Sequence, residues 1–255
     1  MKKYFLVLAI LFFLGCAHAP CQKDVVFQNA PISALLGGCY SGTMSIQEIK
    51  KHGDFGLGTL DALNGELIVL DGSFYQVRSD GKVYEVKDSA KTPFAAVTFF
   101  KAEQTFFRGP AMDLQALKSF LDDKLPSQNV PYAIKVEGQF ETVKVRSPAR
   151  QQKPYTVLTE AIKEQQIFEL KSQTGTLIGF RIPPYMEGVN VPGYHFHFLD
   201  QEKTGGGHVI DLRLKNAKIE IDEEDGFLME LPKNKEFLDF HLGGDSGEAL
   251  AQVEK

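Results

Sequence analysis

One segment, V-P-G-Y-H-F-H-F-L-D-Q-E-K-T-G-G-G-H-V-I-D over 191–211, constrains the fold more than any other part of the chain. Aromatic and aliphatic residues alternate with His195 and His197, which is the period of a β-strand. Side chains two apart on a strand leave the same face. His195 and His197 therefore point together, and Tyr194, Phe196 and Phe198 point the other way. Gly205, Gly206 and Gly207 supply the backbone freedom for a return. His208 then opens a second strand-like run, Val209 to Leu214. Paired as a hairpin, the two runs bring three imidazoles to one face.

A single histidine in such a place reads as a hydrogen-bonded core or surface residue. H-x-H with a third His beyond a glycine turn reads better as a metal site, and half of the chain's six histidines lie in this stretch. Three neutral imidazoles suit zinc, and three protein ligands leave room for water or substrate.

With 255 residues the chain can bury a sizeable core, as one large domain or two packed lobes. Its net charge of −5 and the absence of a basic stripe argue against a nucleic-acid partner. Met1 to Ala19 reads as an export signal: Lys2 and Lys3 precede an apolar run, Tyr4 to Leu14, too short for a comfortable membrane span. Phe13-Leu14-Gly15-Cys16 resembles a bacterial lipobox, with Cys16 lipidated. Ala17-His18-Ala19 fits ordinary cleavage, although Pro20 is a poor new start. The expected location is outside the cytoplasm, as an anchored lipoprotein or a secreted protein. Export permits a Cys21–Cys39 disulfide; an unpaired, buried Cys39 is the alternative.

The rest of the chain reads as strands with few helices. Ser45-Ile46-Gln47-Glu48 is a capping box opening a short helix. Asn64-Gly65, Asp71-Gly72 and Ser79-Asp80-Gly81 mark turns in a meander through Leu60–Leu63, Glu66–Leu70, Phe74–Val77 and Val83–Val86. On its own, Glu66 reads as a solvated strand end. Asp113 caps a helix with Leu117 and Leu121 on its core face. Two strands, at Tyr132–Val136 and Val143–Arg146, are expected on either side of a turn. The basic, proline-marked run 146–155 reads as a linker or an anion-facing loop, with composition favouring the linker. Strands follow at 167–170 and 176–182, then the histidine hairpin, then antiparallel strands at 218–221 and 227–231. Glu223, Glu224 and Asp225 read as a solvated turn, and the tail from Ser246 as mobile.

Three segments together resemble the bacterial α-acetolactate decarboxylase family: G-D-F-G-L-G-T-L-D-A-L-N-G-E at 53–66, R-S-P-A-R-Q-Q-K-P-Y at 146–155, and V-P-G-Y-H-F-H-F-L-D with G-G-H-V at 191–209. The order is kept from about Pro31 to near the C-terminus. The middle segment departs from the expected R-T-V-P-R-Q.

The resemblance implies an α+β fold of two closely packed lobes. Residues 20–155 would form a mixed sheet with a few helices. Residues 156–255 would form an antiparallel lobe carrying the metal hairpin. It implies zinc on His195, His197 and His208, with Glu66 and Arg146 lining the site and Thr59 beside the substrate. It also implies a C-terminal glutamate in the site, Glu254 or, failing that, Glu248. The implied reaction turns α-acetolactate, a 2-hydroxy-3-oxo acid, into acetoin and carbon dioxide. The metal would stabilise an enediolate that is then protonated on one face. A homodimer is also implied.

Two rivals remain at this stage. A cupin-like metal enzyme would use Glu202 as a further ligand of iron or manganese, although Val209 stands where its following glycine belongs. A non-catalytic exported zinc-binding lipoprotein would leave Glu66 and Arg146 without a role.

Overall fold

The structure is a computed structural model that describes residues 24–242 and 246–254. The export signal, the lipidation site Cys16 and Cys21 lie outside the described residues. Cys39 is half-buried and forms no disulfide among the described residues; its pairing with Cys21 falls outside them.

Two sheets carry the α+β fold. The first has seven strands in the order Gly226–Glu230, Val25–Asn29, Phe94–Thr98, Phe55–Thr59, Glu66–Leu70, Ser73–Val77, Val83–Glu85. Only its first pair is parallel, so the sheet is mixed. The second is antiparallel and built on four long strands: Tyr132–Ser147, Gln166–Ile182, Gly193–Asp200 and Gly206–Glu223. Each of these four pairs with two of the others, so they close on themselves. Closure removes exposed edges around the hairpin.

Residues of opposite parity along these strands fill separate cores. Phe140, Leu177, Phe196, Phe198 and Leu214 pack inside the second sheet, capped by Leu117 and Leu121 of helix Leu114–Asp122. Phe55, Leu57, Ile68 and Val77 of the first sheet meet Ile178, Phe180 and Leu199 of the second. Asp113 accepts a hydrogen bond from the Ala116 N–H, and Ser45 and Glu48 form the reciprocal capping box, as expected. A further core joins three short helices, Ile32–Leu36, Leu158–Ala161 and Ser246–Val253, through Leu35, Leu158, Leu250 and Val253.

Several local expectations need correction. The first meander strand is Phe55–Thr59, and Asp61–Leu63 is a 3₁₀ turn. Glycines at 56 and 58 weaken its strand signature, yet a Cβ at Gly58 would lie 2.4 Å from the Phe94 carbonyl oxygen. Tyr132–Ser147 is one strand, not two, because bulges near Gly138 and Glu141 absorb the irregularity. The 166–182 run is likewise continuous, with Ser172 at φ 52°. Gly226–Glu230 does not extend the antiparallel run: it returns to pair parallel with Val25–Asn29. The sheets consequently do not divide at residue 155. Strands from Gln104 onward belong to the second sheet, and the first sheet reclaims 226–230. Glu224 is fully buried, accepting from the Thr98 hydroxyl at 3.0 Å, and Glu223 ends a strand, so of the three acidic residues read as a solvated turn only Asp225 is exposed. The tail is a docked helix because Leu250 and Val253 find apolar partners.

Candidate active site

The second sheet lines up its functional residues in register. His197 pairs across the hairpin with His208, and His208 pairs on its other side with Arg146. Directly opposed residues share a face, so one row across three strands carries two imidazoles and a guanidinium. His195 precedes His197 by two residues on the same strand and reaches the same space. Gly207 makes the approach feasible: it sits at φ 137°, and a Cβ there would fall 2.5 Å from the Arg146 carbonyl oxygen.

The first sheet closes the opposite wall. Thr59 and Glu66 are cross-strand partners, and Glu66 begins its strand immediately after Gly65, whose φ is 79°. The Thr59 hydroxyl donates to the Gly65 carbonyl at 2.7 Å, pinning that turn. The sheets are tied at the site itself, where His197 Nδ1 lies 2.9 Å from the Leu67 carbonyl oxygen. Since a carbonyl only accepts, Nδ1 carries the proton and Nε2 keeps its lone pair. The C-terminal helix brings the last wall: Glu254 Oε2 lies 3.7 Å from His208 Nε2, and Glu66 Oε2 lies 3.5 Å from His197 Nε2.

All three histidines are buried, and their nearest ring nitrogens lie within 4.8 Å of one another. Burial, reinforced by Arg146, lowers the His195 pKa to about 3. Burial also lowers those of His197 and His208 well below the usual imidazole range. The rings are therefore neutral, and their contacts with Glu66 and Glu254 are not ion pairs. His195 Nε2 and His208 Nδ1 stand 3.1 Å apart, and His195 Nδ1 has no partner among the described residues. Converging neutral nitrogens, one of them oriented by a backbone carbonyl, fit a divalent metal of the zinc type. A hydrogen-bonded core would not leave a buried ring nitrogen unpaired.

The two carboxyls are unusual in the opposite sense. Burial raises the Glu66 pKa to about 8, with Arg146 opposing and Glu254 adding to the rise. Burial raises that of Glu254 to about 7, against the pull of Arg146 and Lys118. The pocket they share is polar on the side of the three histidines, Glu66, Arg146 and Glu254. Ile32, Leu35, Phe94, Leu158, Ile162 and Val253 make its apolar side.

The structure thus brings together His195, His197, His208, Glu66, Arg146 and Glu254, with Thr59 on the wall. It does not bring in Glu248, which is exposed, or Glu202, which lies exposed in the hairpin loop outside the histidine cluster. The cupin reading therefore loses its fourth ligand. Arg146 is strand, not linker; the exposed Arg150 instead pairs with Asp61 at 3.0 Å. Glu66 is buried, not a solvated strand end. Sequence reasoning missed the Leu67 carbonyl, which has no side-chain signature, and Gln165, whose amide oxygen accepts from Arg146 Nη1 at 2.9 Å.

A family model for alpha-acetolactate decarboxylase matches residues 26–243. The chain belongs to the α-acetolactate decarboxylase family. It is 47% identical over 233 residues to the alpha-acetolactate decarboxylase of Methanosarcina mazei, covering 91% of this chain and 81% of that protein. It is 46% identical over 233 residues to that of Methylococcus capsulatus, covering 91% and 90%. The crystal structure of alpha-acetolactate decarboxylase from Bacillus subtilis strain 168 superposes with a TM-score of 0.89 at 36% identity, covering 90% of this chain and 99% of that one. Family membership makes the chain a carboxy-lyase, and the α+β architecture read from its sequence is that of the solved relative.

Proposed function

We propose that this chain decarboxylates α-acetolactate to acetoin with a zinc ion held by His195, His197 and His208. The observation that carries the reading is the convergence of three neutral, buried imidazoles with two high-pKa carboxyls and one buried guanidinium in a single pocket. When bound, the ion supplies Lewis-acid stabilisation of negative charge on the substrate oxygens.

The chain's own residues supply the rest. Arg146 offers the forked donors that suit a carboxylate and orients the group that leaves. Breaking the bond to that group releases carbon dioxide, and its electron pair passes toward the neighbouring ketone, giving an enediolate. Glu66 or Glu254, kept protonated near neutral pH by burial, then delivers one proton to carbon. Because the acid is one fixed carboxyl on one wall, delivery from a single side makes acetoin of one hand. The apolar wall receives the methyl groups and excludes water.

The test is acetoin release from racemic acetolactate, with zinc measured on the same sample. His195→Ala, His197→Ala and His208→Ala should each lose metal and activity. Arg146→Ala should keep metal and lose activity. Full activity in all three histidine variants would end the zinc reading. Bound zinc with no carbon dioxide released would favour the non-catalytic metal-binding alternative.

We also propose export, on the charged and apolar pattern of Met1 to Ala19, with Cys16 as a lipid anchor; detergent partitioning of full-length and Cys16→Ala protein tests it. A homodimer is proposed as well. Gly226–Glu230 is the terminal strand of its sheet, and Leu228 and Leu231 are about half exposed there, as expected of a face that meets a second copy. Light scattering distinguishes dimer from monomer.

A further inference from the structure

We propose that Gln165 is a positioning residue: it holds the Arg146 guanidinium through a neutral amide, so that the arginine's charge stays undivided for the substrate's carboxylate. This rests on the decarboxylase reading above.

Arg146 is 4% exposed and carries five N–H donors. Among the described residues its one side-chain hydrogen-bond partner is Gln165, at 2.9 Å from Nη1. Its Nε has no partner, and no Asp or Glu oxygen comes within 4.0 Å of the guanidinium, among the described residues. A buried guanidinium usually has a carboxylate as companion, because that pair is stronger and bidentate. Here the companion is uncharged. Among the described residues the guanidinium's positive charge therefore faces the pocket unneutralised. A carboxylate at position 165 would neutralise that charge and turn the free donors away from the pocket.

The fold places the amide where it is needed. Arg146 pairs across the sheet with Ile167, so a residue two positions earlier lies just past the Arg146 end of its strand. The short turn Ile162–Glu164 ends there, and the Gln165 N–H closes it by donating to the Ile162 carbonyl at 3.0 Å. Ile162 itself lines the pocket. One turn therefore sets both an apolar wall residue and the anchor of the arginine. Composition around it gives no hint: Lys163, Glu164, Gln165 and Gln166 look like any solvated polar run.

Gln165→Glu and Gln165→Ala in the zinc-loaded full chain test the idea. The Glu variant is nearly isosteric and makes the stronger hydrogen bond, so a merely structural role predicts no loss. The proposal predicts unchanged zinc content and thermal stability, a KM for acetolactate raised tenfold or more, and a smaller change in kcat, because a ground-state contact is weakened. The Ala variant should raise KM several-fold. Calorimetric binding of 2-hydroxy-2-methylpropanoate, a 2-hydroxy acid that lacks the ketone and does not react, should weaken by a similar factor in each variant. Unchanged KM and unchanged affinity in Gln165→Glu would overturn the proposal. If the wild type makes no acetoin, the decarboxylase reading falls, and the calorimetric comparison alone still decides whether position 165 governs carboxylate binding.

Discussion

Glu224 offers the sharpest quantitative test of the packing. Its side chain is wholly buried where Gly226–Glu230 turns back toward the first sheet. One carboxyl oxygen accepts from Thr98, and the other has no partner among the described residues. Burial raises its pKa from 4.5 to about 8, with Thr98 opposing and Asp222 and Asp24 adding to the rise. A carboxyl that holds its proton more tightly in the fold makes stability fall as pH rises above the unfolded value. The loss begins near pH 4.5, grows through pH 8 and then levels off. The full gap corresponds to roughly 5 kcal/mol, of which about 3 kcal/mol accrues between pH 5 and pH 8. Glu224→Gln removes the titration while keeping an oxygen for Thr98, at about 1 kcal/mol for an amide donor left without an acceptor. Denaturant unfolding of wild type and variant at both pH values isolates the effect, since the remaining groups cancel in the difference. The variant should be near the wild type in stability at pH 5 and about 3 kcal/mol more stable at pH 8. A wild-type-to-variant difference that is the same at both pH values would refute the argument, because a solvated or ion-paired Glu224 has no such dependence.

Gly207→Ala places a Cβ at φ 137° and 2.5 Å from the Arg146 carbonyl oxygen. It should cost about 2 kcal/mol or more by thermal melting and weaken zinc retention, because the His208 strand must move. Removing residues 246–255 uncovers Leu35 and Leu158 and takes away Glu254. Zinc should remain on the three histidines while acetoin formation is lost, which metal analysis and the activity assay read together. Catalysis that needs a protonated carboxyl must fail as pH rises through the donor's pKa. Whichever of Glu66→Gln and Glu254→Gln removes the donor should shift or abolish that alkaline limb of the rate profile. A profile unchanged in both variants would exclude the two glutamates as acids.

Features written in local periodicity were legible before any coordinates. The H-x-H alternation, the glycine return and His208 specify a shared face, because strand geometry repeats every two residues whatever surrounds it. The Ser45 capping box and the Asp113 cap were readable for the same reason: each is satisfied within four residues. Residues whose character depends on what packs over them were not. Glu66 and Glu224 look like solvated turn carboxylates, and only the meeting of distant strands buries them and moves their proton affinity. Arg146 sits in a basic, proline-rich run that reads as linker, yet strand pairing with His208 turns it into the pocket. The parallel return of Gly226–Glu230 was hidden too, since a strand's own residues do not name its partner.

By itself, then, the chain's sequence determined the histidine trio, the mixture of strands and short helices, and the family to which they belong. Tertiary structure decided which charges lose their water: the seat of Glu254, the companion of Arg146 and the neutrality of the imidazoles. Desolvation comes from residues far away in the chain, and no local pattern encodes it.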